Sequence, residues 1–475
     1  MSAGINGAGV RRASALVLAL VVSSCTVGPD YVRPDAPAPA AWKELPPHKL
    51  AEPADALPRG AWWTLFGDPV LDDLEQQVVA ANQTLRAAEA NYRQARAAVG
   101  TARAGLYPTL NFGASGARAR TRGSSGGGSA AAYTATADVQ WEIDLWGRIR
   151  RLVESAQAAQ AASAADVEAT RLSLQAELAA DYLQLRIADA ARRVLQETVA
   201  AFERSLVLTQ NRYAAGIAAR VDVVQAETQL LNVRASLLDI EATRAQLEHA
   251  IAALTGRAPA DLTIAVVDSV PAQPTLPASV PSALLERRPD IAAAERRVAT
   301  ANAQVGAATA AIYPTISLGA SGGFAGTSLA SWFSLPNRFW SLGASLAAPL
   351  FDAGLRASQR EQAIAAYDAT VADYRQTVLD AFRDVEDNLA LLRVLQEESR
   401  VQAEALRAAR LSVELTTNQY KAGLVAFIDV VTVQAVAFNA ERTALELTGR
   451  QLVAAVNLVK ALGGGYMAGE PVAAR

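Results

Sequence analysis

The sequence predicts an α+β membrane protein that is built from an internal duplication and must oligomerise to complete its sheet. Three observations lead to this fold class. The two halves of the chain share sequence, two segments of equal length lack internal glycine and proline, and four short segments alternate between apolar and polar residues. Together these features predict long helices joined to short strands, with the same combination present twice.

The duplication is visible as two stretches that lie 206 residues apart. Residues 106–116 read Leu-Tyr-Pro-Thr-Leu-Asn-Phe-Gly-Ala-Ser-Gly, and residues 312–322 read Ile-Tyr-Pro-Thr-Ile-Ser-Leu-Gly-Ala-Ser-Gly. A second pair, Asn-x-Tyr-x-Ala-Gly, begins at Asn211 and at Asn418. These repeats are too far apart for a short solenoid, so each half is interpreted as one duplicated supersecondary unit. We expect repeat 1 at 69–270, repeat 2 at 271–466 and a C-terminal tail at 467–475.

The N-terminus has the pattern of a secretory signal. Arg11 and Arg12 precede an apolar segment, 13–22, that is too short to cross a bilayer as a helix. The sequence Val-Ser-Ser-Cys that ends at Cys25 resembles the lipobox of bacterial lipoproteins, in which the cysteine is acylated after cleavage. We therefore expect a signal peptide at 1–24 and lipidation of Cys25, the alternative being an unmodified thiol near an ordinary cleavage site. The next residue is Thr rather than the Asp typical of inner-membrane retention, which favours the outer membrane.

Composition argues against several classes of function. Removal of residues 1–24 takes away two arginines and changes the formal net charge from −3 to −5, which leaves no basic excess for nucleic acid. The chain has two histidines, His48 and His249, and one cysteine, too few for a metal site or a nucleophilic triad. The glycine-rich run 123–128 lacks the Lys-Ser/Thr of a phosphate loop, and the loop 119–132 that contains it is interpreted as extracellular. We expect no enzyme activity and no cofactor.

The spacing of glycine and proline predicts the helical segments. Residues 25–68 are rich in Pro and Ala and are expected to be extended along the surface. Asp68-Pro69 then opens a helical pattern that runs to about Gly105. Residues 147–213 and 354–420, 67 residues each, predict helices about 100 Å long at about 1.5 Å per residue. A second helix is expected to follow each of them.

Alternating polarity predicts the strands. From Tyr133 to Leu145 every odd residue is apolar and every even residue is polar, which is typical of a strand with one face in each environment. Four strands are expected near 109–118, 133–146, 315–324 and 339–351. Aromatic residues at their two ends are typical of the girdles of a membrane barrel, namely Tyr107 and Tyr313 at one end and Tyr133, Trp332 and Trp340 at the other. The alternative is a soluble sandwich with ordinary aromatic residues.

Four strands cannot close a membrane barrel, since the smallest have about eight. A sheet edge exposed to lipid is not tolerated, because its unpaired backbone groups find no water. The chain is therefore expected to oligomerise. Two copies would supply eight strands and three would supply twelve, and the strand count leaves the number open.

Several motifs together resemble the TolC-like outer-membrane factor family. They are the sequence Trp62-Trp63-x-x-Phe66-x-Asp68-Pro69-x-Leu71, the two Tyr-Pro-Thr strand openers, and the Ala-Leu-Gly-Gly-Gly ending at 461–465. The lipobox followed by Val-Gly-Pro-Asp-Tyr at 27–31 resembles the OprM/NodT-like efflux lipoprotein branch. One departure is Tyr466, where the family usually has Trp. The resemblance covers essentially the whole mature chain and implies a homotrimer, with a twelve-stranded transmembrane β-barrel continued by a long periplasmic α-helical barrel.

The same resemblance implies an outer-membrane channel of a tripartite efflux or export system. Such a channel conducts drugs or other small molecules from the periplasm to the exterior, and a periplasmic membrane-fusion adaptor couples it to an inner-membrane pump, here expected to be of the RND type. The chain would then reside in the outer membrane, with its lipid anchor on the periplasmic side. The alternative is a lipid-anchored adaptor or coiled-coil scaffold without channel activity. The duplicated strand pairs argue against it, because adaptors carry one helical hairpin and separate β-domains.

The turns after the long helices hold the candidate aperture residues. Gly216 and Gly423 suit a left-handed turn between helices and are the expected adaptor-docking tips. Asp222 and Asp429 follow at the start of the next helix. In the resembling family these positions line the periplasmic aperture, so the resemblance implies rings of negative charge that favour cations. The alternative is a carboxylate that only stabilises a helix N-terminus.

Other polar residues are candidates for supporting roles. Tyr213 and Tyr420 end the long helices, and Arg220 is a candidate for a salt bridge at the aperture. The acidic and basic residues that some family members carry nearby are replaced in the second repeat, which makes a complete latch doubtful. Three acidic residues are expected to face the barrel lumen and to tune conductance, namely Asp138, Glu142 and Asp144.

Overall fold

The structure is a computed structural model that describes residues 26–36, 43, 60–121, 128–267, 270, 272 and 288–464. The predicted signal peptide, Cys25, the centre of the glycine-rich run and the predicted C-terminal tail lie outside these residues. The described chain contains seven α-helices and four β-strands. The helices are α1 (Pro69–Ala81), α2 (Gln83–Ala104), α3 (Arg148–Ala214), α4 (Arg220–Leu254), α5 (Pro289–Ala310), α6 (Leu355–Lys421) and α7 (Phe427–Ala461). The strands are β1 (Thr109–Thr121), β2 (Gly128–Ile143), β3 (Thr315–Gly326) and β4 (Arg338–Ala347).

The internal duplication is confirmed at the level of whole elements. Helices α2 and α5 both have 22 residues. Helices α3 and α6 both have 67, and helices α4 and α7 both have 35. Each pair occupies the same place relative to the two strands of its half, so one helix–hairpin–helix–helix unit is present twice.

The described residues divide into two compact units. The sheet unit contains residues 26–36, 90–164 and 293–376, and therefore all four strands. The helical unit contains residue 43 and residues 60–89, the described part of 165–292, and residues 377–464. It holds the second halves of the two long helices together with α4 and α7. Among the described residues, no helix combines the length and apolarity needed to span a membrane.

The sheet is antiparallel with strand order β1-β2-β3-β4. Its register places apolar residues opposite one another: Val139 of β2 lies between Leu110 of β1 and Ala320 of β3. Because side chains alternate along a strand, one face of the sheet is apolar and the other is polar. β1 and β4 are the two edges, and the hairpin connections β1–β2 and β3–β4 lie at the end of the sheet that is opposite the helix connections.

Two strands end earlier than the alternation suggests. β2 stops at Ile143 rather than near 146, because Asp144 leaves the ladder to cap the following helix. β4 stops at Ala347 rather than near 351, because Pro349 has no N–H to donate. The first hairpin extends further toward its connection than expected, because β1 continues to Thr121 and β2 already begins at Gly128.

The helical pattern predicted from 69 to about 105 forms two helices rather than one. Asn82 has an extended backbone conformation (φ −62°, ψ 127°) and separates α1 from α2. Its side-chain oxygen accepts a hydrogen bond from the N–H of Leu85 at 3.0 Å, and its amide donates to the carbonyl of Leu254 at 2.8 Å. The side chain thus caps α2 and ties the break to the end of α4.

The N-terminal segment lies along the sheet unit. Gly28 has φ +104° and approaches Gly306 so closely that a Cβ would come within 2.5 Å of the Gly306 Cα. The buried guanidinium of Arg151 binds the carboxylate of Asp30 at 2.9 Å, and Asn302 donates to the carbonyl of Pro29. The glycine and the aspartate of the Val-Gly-Pro-Asp-Tyr motif therefore hold the extended segment against α3 and α5.

Candidate aperture and lumen residues

The turns between the long and short helices are closed in the same way in both repeats. Gly216 and Gly423 have φ +73° and +77° in the left-handed region. Their N–H groups donate to the carbonyls of Tyr213 and Tyr420 at 3.0 Å. A side chain at either position would be strained, which explains why glycine stands there in both copies.

Asp222 and Asp429 occupy the third position of their helices and close them with a reciprocal pair of hydrogen bonds. The carboxylate of Asp222 accepts from the N–H of Ala219 at 3.2 Å, while the N–H of Asp222 donates to the Ala219 carbonyl at 3.1 Å. Asp429 does the same with Ala426, at 3.1 and 3.2 Å. This arrangement supports the helix-capping interpretation. It uses one carboxylate oxygen of each aspartate, and Asp429 remains exposed while Asp222 is half-buried.

The two tyrosines are equivalent in sequence but not in environment. Tyr213 is 47% exposed, whereas Tyr420 is 5% exposed. The Tyr420 ring contacts Phe427 at a centroid distance of 5.4 Å, and the Arg212 guanidinium lies over it at 4.5 Å. The Tyr420 hydroxyl has no hydrogen-bond partner in the described chain. Tyr420 is buried because it packs in an apolar cluster with Phe427 and Val430, whereas the residue equivalent to Phe427 in the first repeat is Arg220.

Arg220 is exposed and forms no ion pair with another described residue. A salt-bridge latch within one copy of the chain is therefore not present in the part that the structure describes.

Two apolar residues at the same turns were missed by sequence reasoning. Ile217 and Leu424 directly follow the two glycines and are 66% and 76% exposed. Their signal in the sequence is a large apolar residue at a turn, where polar residues are usual.

The three acidic residues near β2 have different roles. Asp138 lies on the polar face and accepts a hydrogen bond from the Ser321 hydroxyl at 2.6 Å. Glu142 lies on the same face and is paired with Arg148 at 2.9 Å. The prediction that Asp144 belongs to the polar face of the strand is wrong. It lies beyond the strand, where its two oxygens accept from the N–H groups of Ile149 and Arg150 at 3.0 and 2.8 Å, at the start of α3.

A buried ionic network in the helical unit was also missed. Asp189 is fully buried and paired with Arg186 at 3.1 Å and with Arg244 at 2.6 Å. The same arginines donate to the carbonyls of Ala265 and Ile264, at 2.8 and 2.6 Å. The network therefore ties the segment after α4 to α3 and α4. Its sequence signal is weak, because helical positions three or four apart carry opposite charges on many solvated helices.

Glu75 is a further polar residue that sequence reasoning missed. Its side chain on α1 is fully buried, and neither carboxylate oxygen has a hydrogen-bond partner among the described residues. Burial, reinforced by the neighbouring charge of Asp72, raises the pKa of Glu75 to about 9. The group is therefore neutral near pH 7, which is how a protein accommodates an unpaired buried carboxyl.

The outer membrane efflux protein family matches the chain twice, over residues 74–257 and 280–464. The two matches cover the two halves defined by the helix pairs. The chain belongs to the outer membrane efflux protein family. Among its relatives, the antibiotic efflux pump outer membrane protein ArpC of Pseudomonas putida is 32% identical over 460 residues, 95% of each chain. The pyoverdine export outer membrane protein OpmQ of Pseudomonas aeruginosa is 31% identical over 468 residues, 96% of this chain and 97% of the relative.

Solved structures agree with the sequence comparison. The outer-membrane channel OprN superposes with a TM-score of 0.84 at 32% identity, over 93% of this chain and 99% of that one. The resemblance to the TolC-like outer-membrane factors is thereby confirmed. The family comprises outer-membrane efflux proteins rather than enzymes, and its members reside in the outer membrane. The alternative of an adaptor or a scaffold is not supported.

Proposed function

We propose that this efflux family member forms the outer-membrane channel of a tripartite system that conducts drugs or other small molecules from the periplasm to the exterior. The sheet carries the proposal. One of its faces is apolar, the other is polar, and neither edge strand, β1 or β4, has a second neighbour in the described chain. Such a sheet is compatible with lipid only when its edges are paired.

Three copies would pair β1 of each chain with β4 of the next and close a twelve-stranded barrel. The family resemblance supports three, because the strand count alone allows other numbers. The polar face would then line a water-filled lumen, with Asp138 and Glu142 as its acidic residues. Four helices of each chain would continue the conduit in the periplasm as a twelve-helix barrel, namely α3, α4, α6 and α7.

A lipid anchor at Cys25 is the second part of the proposal. We assign 25–68 to a lipidated N-terminal segment that follows the signal peptide. The N–H of Val27 donates to the carbonyl of Trp146 at 3.1 Å, three residues after the end of β2. Cys25 therefore lies two residues before Val27 in the sequence, and Val27 lies beside the end of β2. This position supports an anchor in the periplasmic leaflet, because a lipid on Cys25 would start at the level where the barrel meets the helices.

The helix turns would serve the partners. The exposed Ile217 and Leu424, beside Gly216 and Gly423, offer apolar contacts to the tip of a periplasmic membrane-fusion adaptor. The adaptor would connect the channel to an inner-membrane pump of the RND type. Docking at these exposed positions leaves the capped aspartates free of the adaptor.

Asp222 and Asp429 would form the aperture. Three copies of each would place rings of negative charge near the axis, favouring cations and resisting anions. Tyr213 and Tyr420 end the preceding helices, and Tyr213 is exposed enough to reach the opening. Arg220, which has no ion pair within the described chain, would be available to a neighbouring copy.

Single-channel recording of the purified full-length protein in a planar bilayer tests both levels of the proposal. The wild type should migrate as a trimer after cross-linking and conduct ions. A monomer that conducts, or a trimer that does not, would contradict the channel assignment.

The aperture assignment is tested by substitutions that separate charge from capping. Asp222→Asn with Asp429→Asn retains an acceptor oxygen for the helix caps but removes the charge. We expect it to weaken the cation preference and to increase the uptake of vancomycin by cells. Asp239→Asn with Glu414→Gln removes the same charge from exposed helical positions and is the matched control. Unchanged selectivity in the first pair would reduce both aspartates to capping residues.

A further inference from the structure

The apolar face of the sheet ends in arginines at its hairpin end. Arg118 and Arg120 continue the alternate positions of β1 that begin with Leu110 and Phe112. Arg338 begins β4 opposite Phe324, and the next residue on its side of the strand is Trp340. Since alternate residues share a face, all three guanidinium groups belong to the apolar face rather than to the polar one.

These charges are not neutralised by the described chain. All three side chains are exposed, and none has a carboxylate partner among the described residues. Arg118 donates only to the hydroxyl of Ser129, at 3.4 Å. The neighbouring residues on the same face carry no acid: Ser129, Ala131, Tyr133, Phe324, Gly326 and Trp340. The acidic Asp138 lies on the opposite face. An arginine that faces lipid is costly at mid-bilayer and tolerated near the interfaces, where its long side chain reaches the headgroup level and can pair with an anion.

Apolar surface lies directly beside the arginines. The β3–β4 connection folds onto the face, with Trp332 at 5.8 Å from Tyr133 and Phe333 at 5.4 Å from Phe324. It leaves Phe333 66% exposed and Leu335 77% exposed. The surface therefore combines guanidinium groups with an exposed hydrophobic patch, which matches a ligand that has both anionic groups and acyl chains.

Closing the barrel would bring the arginines together. β1 and β4 are the free edges, so β1 of one copy would lie beside β4 of the next. Arg118 and Arg120 would then approach the partner subunit's Arg338 across the junction. Three cations at one junction repel one another unless they share an anion.

We propose that this junction binds a phosphorylated glycolipid of the outer leaflet, of the lipid A class. Arg118, Arg120 and the partner subunit's Arg338 bind its phosphate groups, and guanidinium groups suit that task because they donate two parallel hydrogen bonds. The acyl chains lie along Phe333, Leu335 and Trp340. This inference rests on the proposed function, because it requires the closed barrel and places the hairpin end, opposite the helices, at the outer leaflet.

Lipid retention by the purified trimer tests the proposal. Wild type and Arg118→Gln/Arg120→Gln/Arg338→Gln are washed in detergent, supplied with diphosphorylated lipid A, and analysed by native mass spectrometry. We expect the variant to retain roughly a hundredfold less lipid A, because each charge-assisted contact contributes about a factor of ten or less. The control Arg93→Gln/Arg96→Gln/Arg360→Gln removes the same charge from exposed helical positions of the sheet unit and should bind like the wild type.

Two further arms fix the chemistry. Lipid A without its phosphates, and phosphatidylglycerol, should each bind the wild type much more weakly than diphosphorylated lipid A. The Arg→Lys triple variant should retain part of the binding, which shows that the loss in the Gln variant does not come from misfolding. Equal retention by the wild type and the Gln variant, or equal binding of phosphatidylglycerol, would overturn the proposal. A trimer that conducts but does not select lipid A would leave the channel function standing and refute this inference alone.

Discussion

Glu75 offers a prediction that can be worked out from the structure in detail. Its side chain is fully buried on α1, and both of its oxygens lack hydrogen-bond partners in the part of the chain that the structure describes. Burial together with the charge of Asp72 raises its pKa from 4.5 to about 9. In the unfolded chain the same group would titrate near its ordinary value. Between these two pKa values the folded protein binds one proton that the unfolded chain releases.

The sign of the effect follows from this difference. The contribution of Glu75 to stability is fully present below pH 4.5 and is lost as the pH rises toward about 9. The slope is about 1.4 kcal/mol per pH unit, so stability falls by roughly 4 kcal/mol between about pH 5 and about pH 8. Glu75→Gln is neutral at every pH and nearly the same size. The variant should match the wild type in acid and exceed it by up to that amount in mild base.

The assay is guanidinium unfolding of the full-length protein in detergent, followed by circular dichroism at several pH values. The quantity of interest is the difference between wild type and variant, because other titrating groups cancel in it. Glu414→Gln, at an exposed position of α6, removes the same group outside the core and is the matched control. Asp72→Asn should move the transition to lower pH, because it removes the charge that adds to burial. A difference between wild type and Glu75→Gln that stays constant from acid to base would refute the assignment of a neutral, buried Glu75.

Three other predictions concern the lipid anchor, the faces of the sheet and the turn beside Tyr420. Cys25→Ser should abolish labelling of the protein by radioactive palmitate, and persistent labelling would contradict lipidation at this residue. Val139→Arg places a charge on the apolar face and should destabilise the inserted protein by roughly 2–4 kcal/mol near mid-bilayer, whereas Thr136→Arg on the polar face should be tolerated. The measurement is the amount of heat-modifiable protein in outer-membrane fractions, and equal amounts of the two variants would disprove the assignment of faces. Tyr420→Phe removes a hydroxyl that has no partner among the described residues and should change the free energy of unfolding by less than about 1 kcal/mol. Tyr420→Ala also removes the packing of the ring and should lower the free energy of unfolding by about 3–5 kcal/mol. Similar losses in both variants would show that the hydroxyl binds a neighbouring copy.

The elements that repeat or alternate could be predicted from the sequence. The long helices have the 67 residues that the spacing of glycine and proline indicates, shifted by one residue at each end. The strands start or stop within a few residues of their alternating segments, because register on a two-faced sheet is fixed by polarity. Side-chain capping could not be predicted in the same way. Asn82 fits the helical pattern on both sides of it, and Asp144 fits the alternation of β2. Asn82 ends α1 because its side chain binds the distant carbonyl of Leu254, and Asp144 ends β2 because its side chain caps the next helix.

The buried polar residues were beyond sequence reasoning for a different reason. Asp189 and Glu75 both lie on helices that carry other acidic residues. Glu75 has the helical spacing of Leu71, Leu74 and Val78, which places it on the apolar face, but the sequence does not show whether a buried acid has a partner. Asp189 is paired with two arginines and remains a structural ion, whereas Glu75 is unpaired and takes up a proton. Packing by segments distant in sequence decides between the two outcomes.

The two repeats show which features of the turns are structural and which are free to diverge. Both turns keep the left-handed glycine, the capping aspartate and an exposed apolar residue at the tip, with hydrogen bonds that agree within about 0.1 Å. The tyrosines before them differ, since Tyr420 is buried under Arg212 while Tyr213 is exposed. A cap requires one carboxylate oxygen in each helix, and an amide oxygen would serve as well. The negative charge at both positions also stabilises the helix N-terminus. The proposed cation-favouring aperture is an additional role, and the double Asn variant distinguishes it from capping because it keeps an acceptor oxygen and removes the charge.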